Sequence, residues 1–318
     1  MAASRSEALA AAGGRAARPA FRPRLRNGLL ALAFMLPAAA FLVGFLAYPL
    51  GLGVWIGFTD AKIGRPGNFV GLENFDWVFD DRVFWLSVFN TLFYTVFATA
   101  AKFALGLWLA LLLNEHFRLK AIVRAAVLMP FIVPTALSAM AFWWLYDSQD
   151  SVITLALQAL GIVDEKIDYL GDPWNARWSV VVANIWRGTP FVAITLLAGL
   201  QTIPPSLYEA ALLEGAGAWQ RFRYITLPML TPIIAVVMTF SVLFTFSDFQ
   251  LIWVLTKGGP VNATHLMATL SYQRAIIGGS LGEGAAIATL MIPFLLSAIL
   301  FSYFGLQRRR WQQGGRDD

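Results

Sequence analysis

Residues 203–228 read IPPSLYEAALLEGAGAWQRFRYITLP. Pro204 and Pro205 break whatever helix precedes them, because proline lacks the N–H that a helix interior needs. Ser206 is placed to cap a new helix, with Glu209 three residues on, the spacing of a capping box. Leu207, Ala210, Ala211 and Glu214 follow at helical spacing, and Gly215 and Gly217 permit a sharp turn. Ala218–Ile225 then reads as a second short helix with Trp219, Phe222 and Ile225 on one apolar side, ended by Pro228. The segment is a small helix–turn–helix, too short to fold alone, that exposes apolar side chains. It serves either as a docking element for another protein or as an interfacial link between two apolar spans, and spacing does not separate the two.

The chain on either side of it is built for lipid. Of 318 residues, 58% are hydrophobic and 14% charged, against roughly 45–50% and 25% in soluble domains. That balance excludes an ordinary soluble globule and a disordered chain. Six stretches are long enough for a bilayer crossing, which takes about 20 apolar residues: 28–58, 84–113, 121–146, 178–200, 229–256 and 285–306. The expected fold is an all-α polytopic membrane protein with a six-helix domain over 28–306, flanked by basic tails at 1–27 and 307–318. Residues 2–20 read as a flexible tail. Arg22–Arg26 followed by an apolar run and Pro37-Ala38-Ala39-Ala40 has the look of a cleavable signal peptide, but the run continues to Phe58, so an uncleaved first span is expected.

Orientation follows from Lys and Arg, which accumulate on the cytoplasmic side. Fifteen fall on the side of the two tails, the second connection and 203–228, and seven on the other. Both termini and 203–228 are therefore expected in the cytoplasm. The net charge of +5 is a topology signal and not a nucleic-acid footprint. The outer connections, 59–83 and 147–177, are too small to be catalytic domains. The second is expected to hold a short amphipathic helix (Val152, Leu155, Ala156, Ala159) lying on the membrane surface.

Catalytic chemistry is poorly provided for. There is no cysteine, and the only histidines are His116 and His265, which leaves no thiolate site, no histidine-built metal centre and no Ser-His-Asp triad. No G-x-x-x-x-G-K-[ST] phosphate loop occurs. No catalytic residue, metal site or bound cofactor is expected.

Charges inside spans are costly and usually face a cavity or a partner. Arg187 lies ten residues into the fourth span from Arg177, and Asp248 lies eight residues inside Thr256. At about 1.5 Å per residue both sit at similar depth. They either pair across the bundle or line one polar cavity, joined at that level by Asn184, Ser247 and Gln250. Gln250 is two residues from Asp248, so on a continuous helix the two cannot share a face. Arg124 and Lys102 are expected to snorkel to an interface. Trp143, Trp144 and Tyr146 could stack on a sugar, but an aromatic belt explains them more simply, and Pro130 and Pro134 are expected to kink the third span. Asn262-Ala263-Thr264 has the form of a glycosylation acceptor.

Glu209-Ala210-Ala211, Gly215-Ala216 and Ile225-Thr226-Leu227-Pro228 resemble the cytoplasmic "EAA" loop of the membrane subunits of binding-protein-dependent ATP-binding-cassette importers. Glu214 stands where many members have Asp, with the charge kept. Further segments resemble the carbohydrate-importing branch: Val70-Gly71-Leu72-Glu73-Asn74-Phe75, Phe89-Asn90-Thr91, Trp186-Arg187, Leu197-Ala198-Gly199-Leu200-Gln201, and Leu255-Thr256-Lys257-Gly258-Gly259-Pro260 with Asn262 and Thr264. The last resembles the maltose-type first permease subunit, and within that pattern Asn262 belongs to the Gly-Gly-Pro segment. The resemblance runs from about Leu36 to Leu306, without the maltose subunit's large extra periplasmic domain or additional N-terminal spans.

The resemblance implies a type I importer permease fold in a bacterial inner membrane. The implied partners are a second homologous permease, two ATPase subunits that bind ATP and Mg, and a periplasmic solute-binding protein. It implies ATPase contact through Glu209, Ala210, Ala211, Glu214, Gly215, Ala216, Phe222, Leu227 and Pro228, with Glu209 meeting a basic residue, and it implies that Gly215→Asp uncouples transport. Asn184, Arg187, Ser247, Asp248 and Gln250 are the candidate solute pathway. Arg187 leaves room for an anionic cargo, and a neutral oligosaccharide fits equally well. The competing readings are an ATP-independent channel or secondary transporter, which needs more intramembrane acids than Asp248, and a membrane-embedded enzyme, which needs a clustered Asp, Glu or His site.

Overall fold

The computed structural model describes residues 23–116, 118–149 and 151–314, with side chains described over 32–300 (save 117 and 150) and at Phe304. The expected tail at 2–20 lies outside the described residues. The chain divides into two units after Leu52. The first contains α1 (Pro23–Leu42), a π turn (Val43–Ala47) and the beginning of α2 (Tyr48–Ile56). The π turn precedes Pro49, whose ring would press on the carbonyl four residues back. Widening the turn, with the Tyr48 amide reaching Val43 O, lets the helix continue past it.

The α-helices of the second unit, Gly53–Asp318, are α3 (Glu73–Asp80), α4 (Arg82–Asn114), α5 (Lys120–Ile132), α6 (Thr135–Leu145), α7 (Val152–Ala159), α8 (Pro173–Leu200), α9 (Pro205–Leu213), α10 (Ala218–Arg221), α11 (Leu227–Phe246), α12 (Gln250–Leu255), α13 (Met267–Tyr272) and α14 (Leu281–Gly314). Among the described residues, five helices are long and apolar enough to cross a membrane, or six if one bent pair counts as a single span. That pair is α5 and α6. The sequence reading expected a kink at Pro130 and Pro134, but the helices meet at 92°. Val133 and Pro134 are extended between them, because the residue before a proline is driven out of the helical region.

Helix α4 shows which solvent this unit is made for. It buries Ser87, Asn90, Thr91, Thr95, Thr99 and Lys102 and exposes Trp85, Phe89, Val96, Phe97 and Trp108. A water-soluble helix does the reverse. An apolar exterior around a polar stripe is the distribution lipid selects. Gly106 lets α4 approach α8 closely, since a Cβ there would stand 2.7 Å from Val192 Cγ1.

Three apolar clusters follow one another along α4. Phe84 packs with Phe75, Phe246, Leu270 and Ile287. Tyr94 and Ala98 pack with Phe142, Val180, Leu251 and Leu266. Ala110 and Leu113 pack with Val192, Leu196, Leu200 and Leu230. In α7 the expected face, Val152, Leu155, Ala156 and Ala159, is exposed, while Thr154 is buried. Tyr146 departs from the aromatic-belt expectation: Trp143 and Trp144 are exposed, but Tyr146 is buried and donates to Ser179 O at 3.1 Å.

Candidate functional site

The helix–turn–helix at 203–228 forms, with different punctuation from that expected. Helix α9 starts at Pro205, in the first-turn position where a missing N–H costs nothing. Pro204 is the cap residue, and no Ser206–Glu209 capping box is made. Glu214 closes the helix, and Gly215 follows with φ +78°, in the left-handed region. Gly215 N reaches Leu212 O at 3.0 Å and Ala216 N reaches Ala211 O at 2.9 Å. This pair of bonds is a Schellman stop, which favours glycine at that position. Gly217 N is accepted by Gln220 Oε1 at 2.7 Å, opening the second arm.

That arm does not end at Pro228. Helix α10 passes through a π turn (Phe222–Thr226) directly into α11. Leu227 N bonds Phe222 O across the widened turn, the same accommodation of a following proline that precedes Pro49. From Ala218 to Phe246 the helix is unbroken, roughly 43 Å at about 1.5 Å per residue. The two arms are tied where Tyr208 Oη and Thr226 Oγ1 lie 2.9 Å apart. Glu209, Ala210, Glu214 and Pro228 are exposed; Ala211, Ala216, Phe222 and Leu227 are half-buried. Leu213 and Trp219 are 91% and 72% exposed, and the Trp219 and Phe222 rings lie 5.6 Å apart.

The other end of the unbroken helix reaches a cavity of about 510 Å³. Asn184, Arg187, Ser247, Asp248 and Gln250 all line it, with Lys102, Thr135, Ser241 and Thr245. Asp248 and Gln250 can both do so because the helix stops at Phe246 and restarts at Gln250. The constraint expected for a continuous helix does not apply.

Asp248 is held entirely by donors. Tyr94 Oη donates to Oδ2 at 2.7 Å, Asn184 Nδ2 to Oδ2 at 3.0 Å, and Leu251 N to Oδ1 at 3.3 Å. A donor-only environment matches an ionised carboxylate, which can only accept. Lys102 was expected to snorkel; instead it is 3% exposed and donates to Asn184 Oδ1 at 2.8 Å and Thr245 Oγ1 at 2.6 Å. Asn184 thus bridges the two charges. Gly188 makes room for the lysine stem, since a Cβ there would stand 2.6 Å from Lys102 Cδ. Arg187 makes no ion pair with Asp248, so the paired alternative is not the arrangement found.

Lys102 was missed because its depth alone could not say whether its stem turns inward. The polar stripe of α4 (Asn90, Thr91, Thr95, Thr99) was the available signal. Two segments distant in sequence also prove to be one unit. Asn90 Nδ2 donates to Asn262 O and His265 O, Arg177 Nε donates to Asn90 Oδ1 at 2.9 Å, and Met267 N donates to Thr91 Oγ1. Gly258 packs so closely that a Cβ would overlap the His265 ring. His265 is buried, and desolvation, with Arg274 nearby, pushes its pKa down to about 4.

Comparison with known proteins adds a family and a fold. The family described as "Binding-protein-dependent transport system inner membrane component" matches residues 102–313. The trehalose/maltose transport system permease protein MalF of Thermococcus litoralis is 35% identical over 288 residues, covering 90% of this chain and 97% of that one. The sulfoquinovosyl glycerol transport system permease protein SmoG of Agrobacterium fabrum is 35% identical over 269 residues (84% and 87%). The trehalose transport system permease protein SugA of Mycobacterium tuberculosis is 32% identical over 292 residues (90% and 92%). Among solved structures, a chain of a bacterial ABC transporter that imports the acidic polysaccharide alginate superposes with a TM-score of 0.77 at 24% identity, covering 90% of this chain and 97% of that chain.

Proposed function

The chain belongs to the family of binding-protein-dependent transport system inner membrane components, and from that premise we propose that it is a permease subunit of an ATP-driven importer for a sugar or sugar-like solute. It forms half of the translocation pathway, beside a second, homologous permease. Relatives named for trehalose, maltose and sulfoquinovosyl glycerol transport support a carbohydrate cargo. A related fold has been solved in complex with an alginate pentasaccharide-bound periplasmic protein, which supports delivery by a separate binding protein.

One observation carries the reading: the exposed hairpin at 203–228 is joined by an unbroken helix to the wall of a polar cavity. In this reading both termini and the hairpin face the cytoplasm of a bacterial inner membrane. Two ATPase chains grip the hairpin, with Glu209 against a basic residue and Gly215 at the tight bend. They also bind ATP and Mg, for which this sequence has no phosphate loop. Closure of the ATPases tilts α10 and α11 together and reshapes the break at Ser247–Phe249. The chain itself is non-catalytic.

Co-expression with the candidate partners followed by reconstitution in vesicles tests this. Uptake of labelled sugar is expected only with ATP, both ATPases and the solute-binding protein. Flux from this polypeptide alone, or labelling of a cysteine introduced at Gly215 from the extracytoplasmic side, overturns it.

A further inference from the structure

We propose that the cargo carries an acidic group, a carboxylate, sulfonate or phosphate, and that Arg187 is the residue that reads it. This rests on the importer reading and narrows its substrate class. The cavity is lined by two cations, Lys102 and Arg187, and one anion, Asp248. Lys102 and Asp248 are already satisfied through Asn184, Thr245 and Tyr94. Arg187 has neither an ion pair nor a hydrogen bond among the described residues, and its Nε is buried without a partner. One carboxylate cannot neutralise the two cations that share its cavity.

A half-buried guanidinium inside a membrane span, with its Nε unpartnered and the cavity short of one negative charge, is costly until an anion completes it. It also offers the planar fork that binds carboxylate, sulfonate or phosphate oxygens in pairs. The hydroxyls and amides around it (Thr135, Ser247 and Gln250) suit the rest of a sugar. The neutral Lys102–Asn184–Asp248 relay then holds the wall in place without competing for the acid.

The test uses the assembled importer in lipid nanodiscs and two matched probes, methyl β-D-glucuronide and methyl β-D-glucoside. Binding is read as the concentration-dependent rise in unfolding temperature. The glucuronide is expected to act at a concentration at least about tenfold lower than the glucoside, as one added charged contact gives. Arg187→Gln is expected to abolish that preference and Arg187→Lys to retain part of it. Both variants must co-purify with the ATPases at wild-type yield, which guards against misfolding. Equal binding of the two probes, or a preference that survives Arg187→Gln, overturns the inference. ATP-driven uptake of a neutral sugar alongside either result leaves the importer reading standing. Loss of ATPase association in the wild type defeats that reading instead.

Discussion

Gly215 offers the sharpest test of the hairpin as a transmitting element. Its φ of +78° lies where a residue with a Cβ pays a steric penalty, yet an added Cβ would meet nothing within 4 Å. Gly215→Ala therefore introduces strain without a clash, roughly 1–2 kcal/mol, which depletes the turn conformation about 5- to 30-fold. Asn tolerates the left-handed region far better, so Gly215→Asn is expected to retain most of the turn. Gly215→Asp shares that backbone tolerance but adds a carboxylate next to Glu214 on the exposed hairpin, and it is expected to uncouple by altering the docking surface.

The assay is solute-stimulated ATP hydrolysis and sugar uptake by the reconstituted importer. The expected order is Gly, then Asn, then Ala, with thermal unfolding of the transmembrane core little changed because the turn is exposed. Uptake by Gly215→Ala equal to wild type, with Gly215→Asn impaired, would refute the argument from backbone conformation. Wild-type uptake by Gly215→Asp would remove the hairpin from the coupling path.

Other perturbations probe the rest of the unit. Tyr208→Phe removes the bond between the hairpin arms, worth about 1 kcal/mol; it is expected to lower solute-stimulated ATPase activity while leaving expression unchanged, and Thr226→Val should match it. Lys102→Met strands Asn184 and leaves Asp248 without its bridged cation, a loss of roughly 3–5 kcal/mol visible as a lower unfolding temperature; Lys102→Met combined with Asp248→Asn should be milder than the sum of the singles. His265 has its pKa lowered from 6.5 to about 4, so the folded state holds fewer protons than the unfolded chain between those values. Its share of stability, at most roughly 3 kcal/mol, is present above pH 6.5 and lost as pH falls through about 4. His265→Gln is expected to flatten the fall in unfolding temperature between pH 7 and pH 5.

The bundle was legible in the sequence because apolar runs of about 20 residues have little else to become. The hairpin was legible because Pro204, Pro205, Gly215 and Gly217 are strong local punctuation. What stayed hidden depends on where a helix bends or refuses to stop. Pro228 ends a helix by local rules, yet a π turn carried the chain past it. Pro134 suggested a kink, but an extended residue on its N-terminal side turned the chain through 92°. The grouping of Asp248 with Gln250 required knowing that α11 breaks at Ser247. Lys102 required knowing which face of α4 is turned inward, a tertiary fact that depth along one helix does not contain.

In the proposed coupling, a pivot at the π turn Phe222–Thr226 trades force for distance. Helix α11 extends beyond it for about 30 Å at 1.5 Å per residue, so a rotation of about 10° there swings the Phe246 tip through roughly 5 Å, on the scale of a single pyranose ring. In that proposal a small displacement of the short arm becomes a larger one at the far end, provided the shaft between them stays stiff.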